Sequence, residues 1–218
     1  MTQLILDFGH RPAFGAADFL VAPSNAEAVT WLDRWPDWPS PALAIYGPPG
    51  CGKTHLARVF AARSAARLVT AELLVTERLP EILATARAFV VDDADRAPAR
   101  AMLHLYNLLA ERGGHLLVAS RDPPARWKVT LDDLHSRLAA APAVAVSAPD
   151  DALLAALLVK LFADRQVEVS EDVVLYLVTR MERSFEAARQ MVADLDAAAL
   201  AERRSITVKF ASAVLQRS

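Results

Sequence analysis

Gly47-Pro48-Pro49-Gly50-Cys51-Gly52-Lys53-Thr54 satisfies every fixed position of the phosphate-binding pattern G-x-x-x-x-G-K-[ST]. Leu43–Tyr46, just before it, is a short apolar run that reads as a buried parallel strand; His55–Arg63, just after it, reads as a helix. Strand, glycine loop and helix start are the context this pattern needs. Three of the chain's seven glycines lie here, where a side chain would block backbone N–H groups from turning inward around phosphates. The helix start adds unpaired N–H donors and the positive end of its dipole. Lys53 is expected to reach the β- and γ-phosphates and Thr54 to ligate Mg²⁺, with Gly47 through His55 forming the nucleotide-binding set.

Outward from this loop the pattern alternates. Strands are expected at Arg67–Val69, Ala88–Asp93, Leu116–Ser120 and Ala143–Val146. Helices are expected over Asn25–Trp35, with Ala28, Trp31, Leu32 and Trp35 on one face, over Ala99–Arg112, and over Thr130–Leu138 with Thr130 as cap. A short helix is expected to start at Ala71–Leu74, and Phe14–Asp18 read as loop. Strand–helix alternation predicts an α/β fold with a doubly wound parallel sheet flanked by helices. From Asp150 no strand pattern follows Val169, and four helical segments begin near Asp150, Ser170, Ser184 and Thr207. They predict a small all-helical appendage. The domain reading is a tail over 1–11, a nucleotide-binding core over 12–149 and a helical domain over 150–218.

Composition narrows the functional classes. A chain of 218 residues, 54% hydrophobic and 23% charged, can bury a full core. Its net charge of -2 gives no general attraction to DNA or to an acidic membrane. Cys51 is the sole cysteine, so no internal disulfide can form. The first residues lack the basic and long apolar stretches of a signal peptide, and the longest apolar run, Ala152–Val159, is too short to span a bilayer. A cytoplasmic location is expected.

Asp92 and Asp93 close a strand downstream of the phosphate loop. Asp92 is expected to complete the Mg²⁺ shell and Asp93 to polarise the attacking water. With an aspartate in place of the longer glutamate common in ATPases, slow hydrolysis is expected. Ser120, ending another strand, is expected near the γ-phosphate or the water. The four tryptophans, Trp31, Trp35, Trp38 and Trp127, are expected in core packing.

The order of these parts resembles the AAA+ ATPases, and within them the DnaA/Hda family. Besides the Val-Asp-Asp ending at Asp93, three stretches carry the likeness: Leu103-His104-Leu105-Tyr106-Asn107, Leu116 to Pro124, and Leu134-His135-Ser136-Arg137-Leu138. The last is similar to a family box whose arginine acts in trans, which implies that role for Arg137. Arg183-Ser184-Phe185-Glu186-Ala187-Ala188 is similar to the family's lid box, which makes Arg183 the implied lid arginine near the phosphates. Arg121 and Asp122 stand in reversed order relative to the family pattern. The resemblance implies an AAA+ P-loop core with a helical lid, binding ADP or ATP with Mg²⁺. Gln3-Leu4-Ile5-Leu6-Asp7-Phe8 resembles the peptides that bind the polymerase sliding clamp, with Gln3, Leu4, Leu6 and Phe8 as contacts. The expected function is a nucleotide-bound regulator that docks on the clamp and stimulates ATP hydrolysis by the AAA+ domain of the initiator DnaA. It is expected to have weak or no ATPase of its own and no sequence-specific DNA binding. Two rivals stand beside it: a self-assembling motor or helicase loader that hydrolyses its own ATP, and a clamp-recruited scaffold without hydrolysis. Formation of a homo-oligomer stays open.

Overall fold

Five parallel strands, β1 (Ala42–Tyr46), β2 (Arg67–Thr70), β3 (Ala88–Asp92), β4 (His115–Ser120) and β5 (Ala143–Ala145), form one sheet in the order β2-β3-β4-β1-β5. The computed structural model describes residues 20–76, 79 and 86–216. The clamp-like peptide Gln3–Phe8 and the loop expected at Phe14–Asp18 lie outside the described residues.

The central strands read as continuous apolar runs because both of their faces are covered. Ala42, Ala44, Phe89, Val91, Leu116 and Val118 point into one cluster. It is completed by Met102, Leu105 and Leu109 of helix α3 (Ala99–Glu111) and by Leu134 and Leu138 of α4 (Asp132–Ala139). Leu43, Ile45, Val90, Leu117 and Ala119 point the other way. They meet Ala28 and Leu32 of α1 (Ala26–Asp33) and Leu56 and Phe60 of α2 (Lys53–Ser64). Each fully buried Leu, Ile or Phe stabilises by about 1.5–3 kcal/mol, so the two faces together fix the strand register.

Below α2 the aromatic residues pack on one another. Trp38 stacks on Phe60 with ring centroids 5.4 Å apart, and Trp35 meets the same ring edge-on at 5.9 Å. His115, opening β4, sits edge-on to Trp38 at 5.6 Å, and burial lowers its pKa. A hydrogen bond with the Pro36 backbone and the charge of Asp37 oppose that shift. The four tryptophans are buried or half-buried, as core packing requires.

Several boundaries move for local reasons. Helix α1 ends at Asp33, so Trp35 falls outside it; the residue before a proline is disfavoured in helical conformation, and Pro36 follows. Asn25 occupies the cap position of α1 but uses its side chain elsewhere: Oδ1 accepts from Ala22 N–H (2.9 Å) and Nδ2 donates to the Leu20 carbonyl (3.0 Å). Thr130 is not the cap of α4, which begins two residues later behind Leu131. The helix expected at Ala71 is a single 3₁₀ turn, Ala71–Leu73.

The chain divides into two compact units, with the boundary between Ser147 and Ala148. The second is helical: α5 (Asp151–Asp164), α6 (Glu171–Val178), α7 (Phe185–Glu202) and α8 (Val208–Leu215). Leu154, Phe162, Leu177, Val192, Leu195 and Phe210 lie in its core. Asp150, Ser184 and Thr207 cap their helices through side-chain bonds to Leu153, Ala187 and Phe210 N–H groups. Ser170 stands at the cap of α6 without such a bond.

Candidate functional site

Tyr46 ends β1 directly beside Ser120 at the end of β4. The loop begins there under tight constraint. Gly47 N–H donates to the Ser120 carbonyl at 3.2 Å, and a Cβ on Gly47 would stand 2.0 Å from the Val146 carbonyl oxygen. Glycine is therefore needed at this position by contact. Val146 N–H in turn donates to the Tyr46 carbonyl at 2.7 Å, which ties the loop's root to the segment after β5. Gly50 and Gly52 hold φ of +72° and +102°, and Gly52 is the N-cap of α2, so the helix starts where the loop closes.

Pro48 and Pro49 are exposed on the outer rim, whereas Cys51 is 2% exposed and packs inward. Lys53 opens α2 and folds back over the loop: Nζ donates to the Gly47 and Pro48 carbonyls, each at 2.8 Å, and lies 3.7 Å from Cys51 Sγ. Its ammonium is thus held at the loop's inner rim. His55 follows in the first turn.

Thr54 and Asp92 converge across the sheet. The Thr54 hydroxyl donates to Asp92 Oδ2 at 2.8 Å, although 38 residues separate them. Asp92 Oδ1 accepts from Asp93 N–H at 3.1 Å. Asp93 itself leaves the strand with φ 50° and ψ 38°, a left-handed conformation that aspartate tolerates better than most residues. Its carbonyl accepts from Arg96 N–H at 2.9 Å, which fixes the turn. Hydroxyl and carboxylate oxygens side by side are hard donors suited to Mg²⁺, which completes its shell with water and phosphate oxygens.

Ser120 is 1% exposed. Its hydroxyl donates to the Asp122 carbonyl at 2.8 Å, and Trp127 Nε1 donates to the same oxygen at 2.8 Å. The proton that a γ-phosphate contact would use is committed here to the turn after β4. Arg137, in the last turn of α4, is exposed, pairs with Asp133 at 2.8 Å and lies 5.7 Å from the Tyr106 ring centroid. Helix α4 packs in the layer across the sheet from α2, so the structure does not group Arg137 with the loop residues. In the helical unit, exposed Arg183 pairs with Asp151 at 2.9 Å, just ahead of the Ser184 cap.

Residue type offers Asn25 as a helix cap and Val146 as a strand residue, and hides what each does here. Val146 acts through a backbone carbonyl, which leaves no trace in residue type. Asn25 is a buried polar residue whose turn bonds look, in sequence, like an ordinary helix cap. The glycine cradle, a lysine at its rim and a threonine–aspartate pair together form the candidate site, with the donors that a nucleotide's phosphates and their cation call for.

Comparison with known proteins finds a partial family match in each of the two units. Residues 150–215 match the model of the Hda lid domain, and residues 43–104 match that of the ATPase family associated with various cellular activities (AAA). The chromosomal replication initiator DnaA of Thermomicrobium roseum is 25% identical over 219 residues, covering 87% of this chain and 47% of that protein. The chain thus spans about half the length of this curated relative. Domain III of Thermotoga maritima DnaA superposes with a TM-score of 0.79 at 18% identity, covering 99% of this chain and 98% of that one. AMPPCP-bound DnaA from Aquifex aeolicus superposes with a TM-score of 0.68 at 18% identity, over 87% and 67% of the two chains. Among the described residues no helix is long and apolar enough to cross a membrane. The chain thus has the fold of DnaA domain III, with an AAA match in its sheet-containing unit and an Hda lid match in its helical unit.

Proposed function

We propose that this protein is a nucleotide-bound regulator that docks on the polymerase sliding clamp through Gln3, Leu4, Leu6 and Phe8 and stimulates ATP hydrolysis by DnaA. In that role ADP or ATP sits in the loop from Gly47 to His55, Thr54 and Asp92 hold Mg²⁺, and Arg183 approaches the phosphates from the lid. The nucleotide acts mainly as a conformational ligand that favours one arrangement of the two units. Arg137 then enters the DnaA nucleotide site and neutralises charge developing on the transferred phosphoryl group.

The observation that carries this reading is the setting of Arg137. Its guanidinium is exposed and held by Asp133 of its own helix, in the layer across the sheet from α2. A second molecule can displace that surface pair at little cost, since exposed pairs contribute about 0–1 kcal/mol. The experiment is a single turnover of labelled ATP pre-bound to DnaA, with clamp-loaded DNA, plus and minus this protein carrying ADP. Acceleration that disappears with Arg137→Ala is expected. No acceleration would reject the reading. Clamp binding should vanish when Gln3, Leu6 and Phe8 become alanine with the fold intact; unchanged binding would remove the tail from the proposal.

A second reading is favoured by the complete set of Lys53, Thr54, Asp92 and Asp93: a self-assembling ATPase that hydrolyses its own nucleotide. Robust turnover by the protein alone, rising with its concentration, would select it. The first reading expects slow turnover, with Asp93 one methylene shorter than the glutamate common at this position.

A further inference from the structure

Among the described residues, four other than glycine hold a positive φ: Ala65, Asp93, Gln166 and Arg203. Ala65 and Arg203 close helices α2 and α7, and Gln166 lies just past the end of α5, places where a left-handed residue is ordinary. Asp93 alone follows directly on a strand. The conformation there needs a reason of its own.

Both backbone groups of Asp93 are engaged close by. Its N–H donates to Asp92 Oδ1 at 3.1 Å, and its carbonyl accepts from Arg96 N–H at 2.9 Å. Ala94, 3% exposed, anchors the 3₁₀ turn that follows (Ala94–Arg96) in the apolar cluster on the α3–α4 side. The pairing of β3 with β2 ends at Asp92, opposite Thr70, and the chain turns away. The Asp93 N–H is thus left for the carboxylate rather than for a neighbouring strand. One oxygen of Asp92 is held by that N–H and the other by the Thr54 hydroxyl at 2.8 Å. A carboxylate fixed at both oxygens has little rotational freedom left to lose when a cation arrives. The Asp93 carboxylate, by contrast, is exposed and makes no capping bond to the turn it opens.

We propose that Asp93 is a positioning residue for the cation site and acts through its left-handed backbone: the turn holds the Asp92 carboxylate toward Thr54, and the Asp93 carboxylate is dispensable for that task. The short side chain follows from the backbone. Aspartate and asparagine enter the left-handed region far more readily than longer side chains, and glutamate has no such advantage. The missing methylene at position 93 therefore has a conformational cause. The proposal rests on Thr54 and Asp92 as the holders of Mg²⁺ and extends that reading to a residue that need not touch the cation.

The test is calorimetry of ADP binding to the full chain, once with Mg²⁺ and once with EDTA. The ratio of the two dissociation constants is the Mg²⁺ gain. Asp93→Asn and Asp93→Gly accept the left-handed turn without the charge, and should keep the gain to within about twofold. Asp93→Val is hostile to the turn and should reduce the gain about tenfold. Its affinity in EDTA should stay unchanged, because Lys53 and the glycine loop are untouched. Asp93→Glu keeps the charge without the left-handed preference and should fall between. A general loss of stability lowers the melting temperature and leaves the ratio alone, so the ratio isolates positioning. If Asp93→Val does not fold, Asp93→Ala, left-handed-averse but unbranched, replaces it in the ranking. Loss of the gain in Asp93→Asn and Asp93→Gly overturns the proposal and returns the role to the carboxylate. So does an undiminished gain in folded Asp93→Val or Asp93→Ala. A wild-type protein without any Mg²⁺ gain rejects the cation site itself, and the proposal with it.

Discussion

Replacing Gly47, Gly114 and Gly113 in turn by alanine adds the same methyl group to three very different surroundings. At Gly47 the new Cβ meets a backbone oxygen, Val146 O, at 2.0 Å, so that oxygen must retreat by about 1.4 Å to reach ordinary contact at 3.4 Å. The retreat pulls on two bonds of the same segment, Val146 N–H to Tyr46 O at 2.7 Å and Ser147 N–H to Ser24 O at 2.9 Å. Overpacking costs about 1–3 kcal/mol and each weakened bond about 1 kcal/mol, for a total of about 3–5 kcal/mol. At 2–4 °C per kcal/mol for a chain of this size, the melting temperature should fall by about 10 °C. Gly114→Ala meets Arg87 O at 2.6 Å and the yielding end of Leu109 at 2.9 Å, and should cost about 1–3 kcal/mol. Gly113→Ala has nothing within 4 Å and only a φ of +62° to bear. The left-handed penalty of about 1–2 kcal/mol is partly offset by reduced freedom of the unfolded chain, leaving about 1 kcal/mol. All four tryptophans precede Ser147, so tryptophan fluorescence during thermal unfolding reads the sheet-containing unit directly. A Gly47→Ala protein melting no lower than Gly113→Ala would refute the account of the loop's root.

Other expectations follow from single contacts. Lys53→Ala should lose nucleotide binding measured by calorimetry, and Thr54→Ala should retain part of it while losing most of its dependence on Mg²⁺, since Asp92 is left without its neighbour. His115 is held below its ordinary pKa of 6.5, so the unfolded chain binds a proton more readily: stability is complete above about pH 6.5 and declines as pH falls below it. A His115→Gln protein, compared by fluorescence melting across that range, should show a shallower decline; parallel curves would remove the histidine from the effect. Ser184→Ala removes the side-chain cap of α7 and should cost about 0.5–2 kcal/mol, visible in circular dichroism of the helical unit, and an unchanged melt would discount the cap.

The strands and the phosphate loop were legible because their signals are local. Five apolar runs end in polar or turn residues, and Gly47–Thr54 carries its function in spacing. What the sequence left unread depends on residues distant in the chain. Trp35 follows helical period from Ala28 and Leu32, yet Pro36 stops the helix before it, and the tryptophan packs on Phe60 instead. Ser120 was legible as a polar strand end, but the direction of its hydroxyl depends on the Asp122 carbonyl in the next turn.

The sheet order has a consequence for the Thr54–Asp92 contact. Strands β1 and β3 are not neighbours; β4 lies between them. With parallel strands about 4.8 Å apart, β1 and β3 stand about 10 Å from each other, a gap that Thr54 crosses from the first turn of α2 to reach Asp92. The sheet therefore acts as a gauge for the site. Ser120, ending the intervening strand, faces the α3–α4 layer with Leu116 and Val118, so a bulkier side chain at position 120 would press on the Asp122 turn and leave the Thr54–Asp92 contact in place.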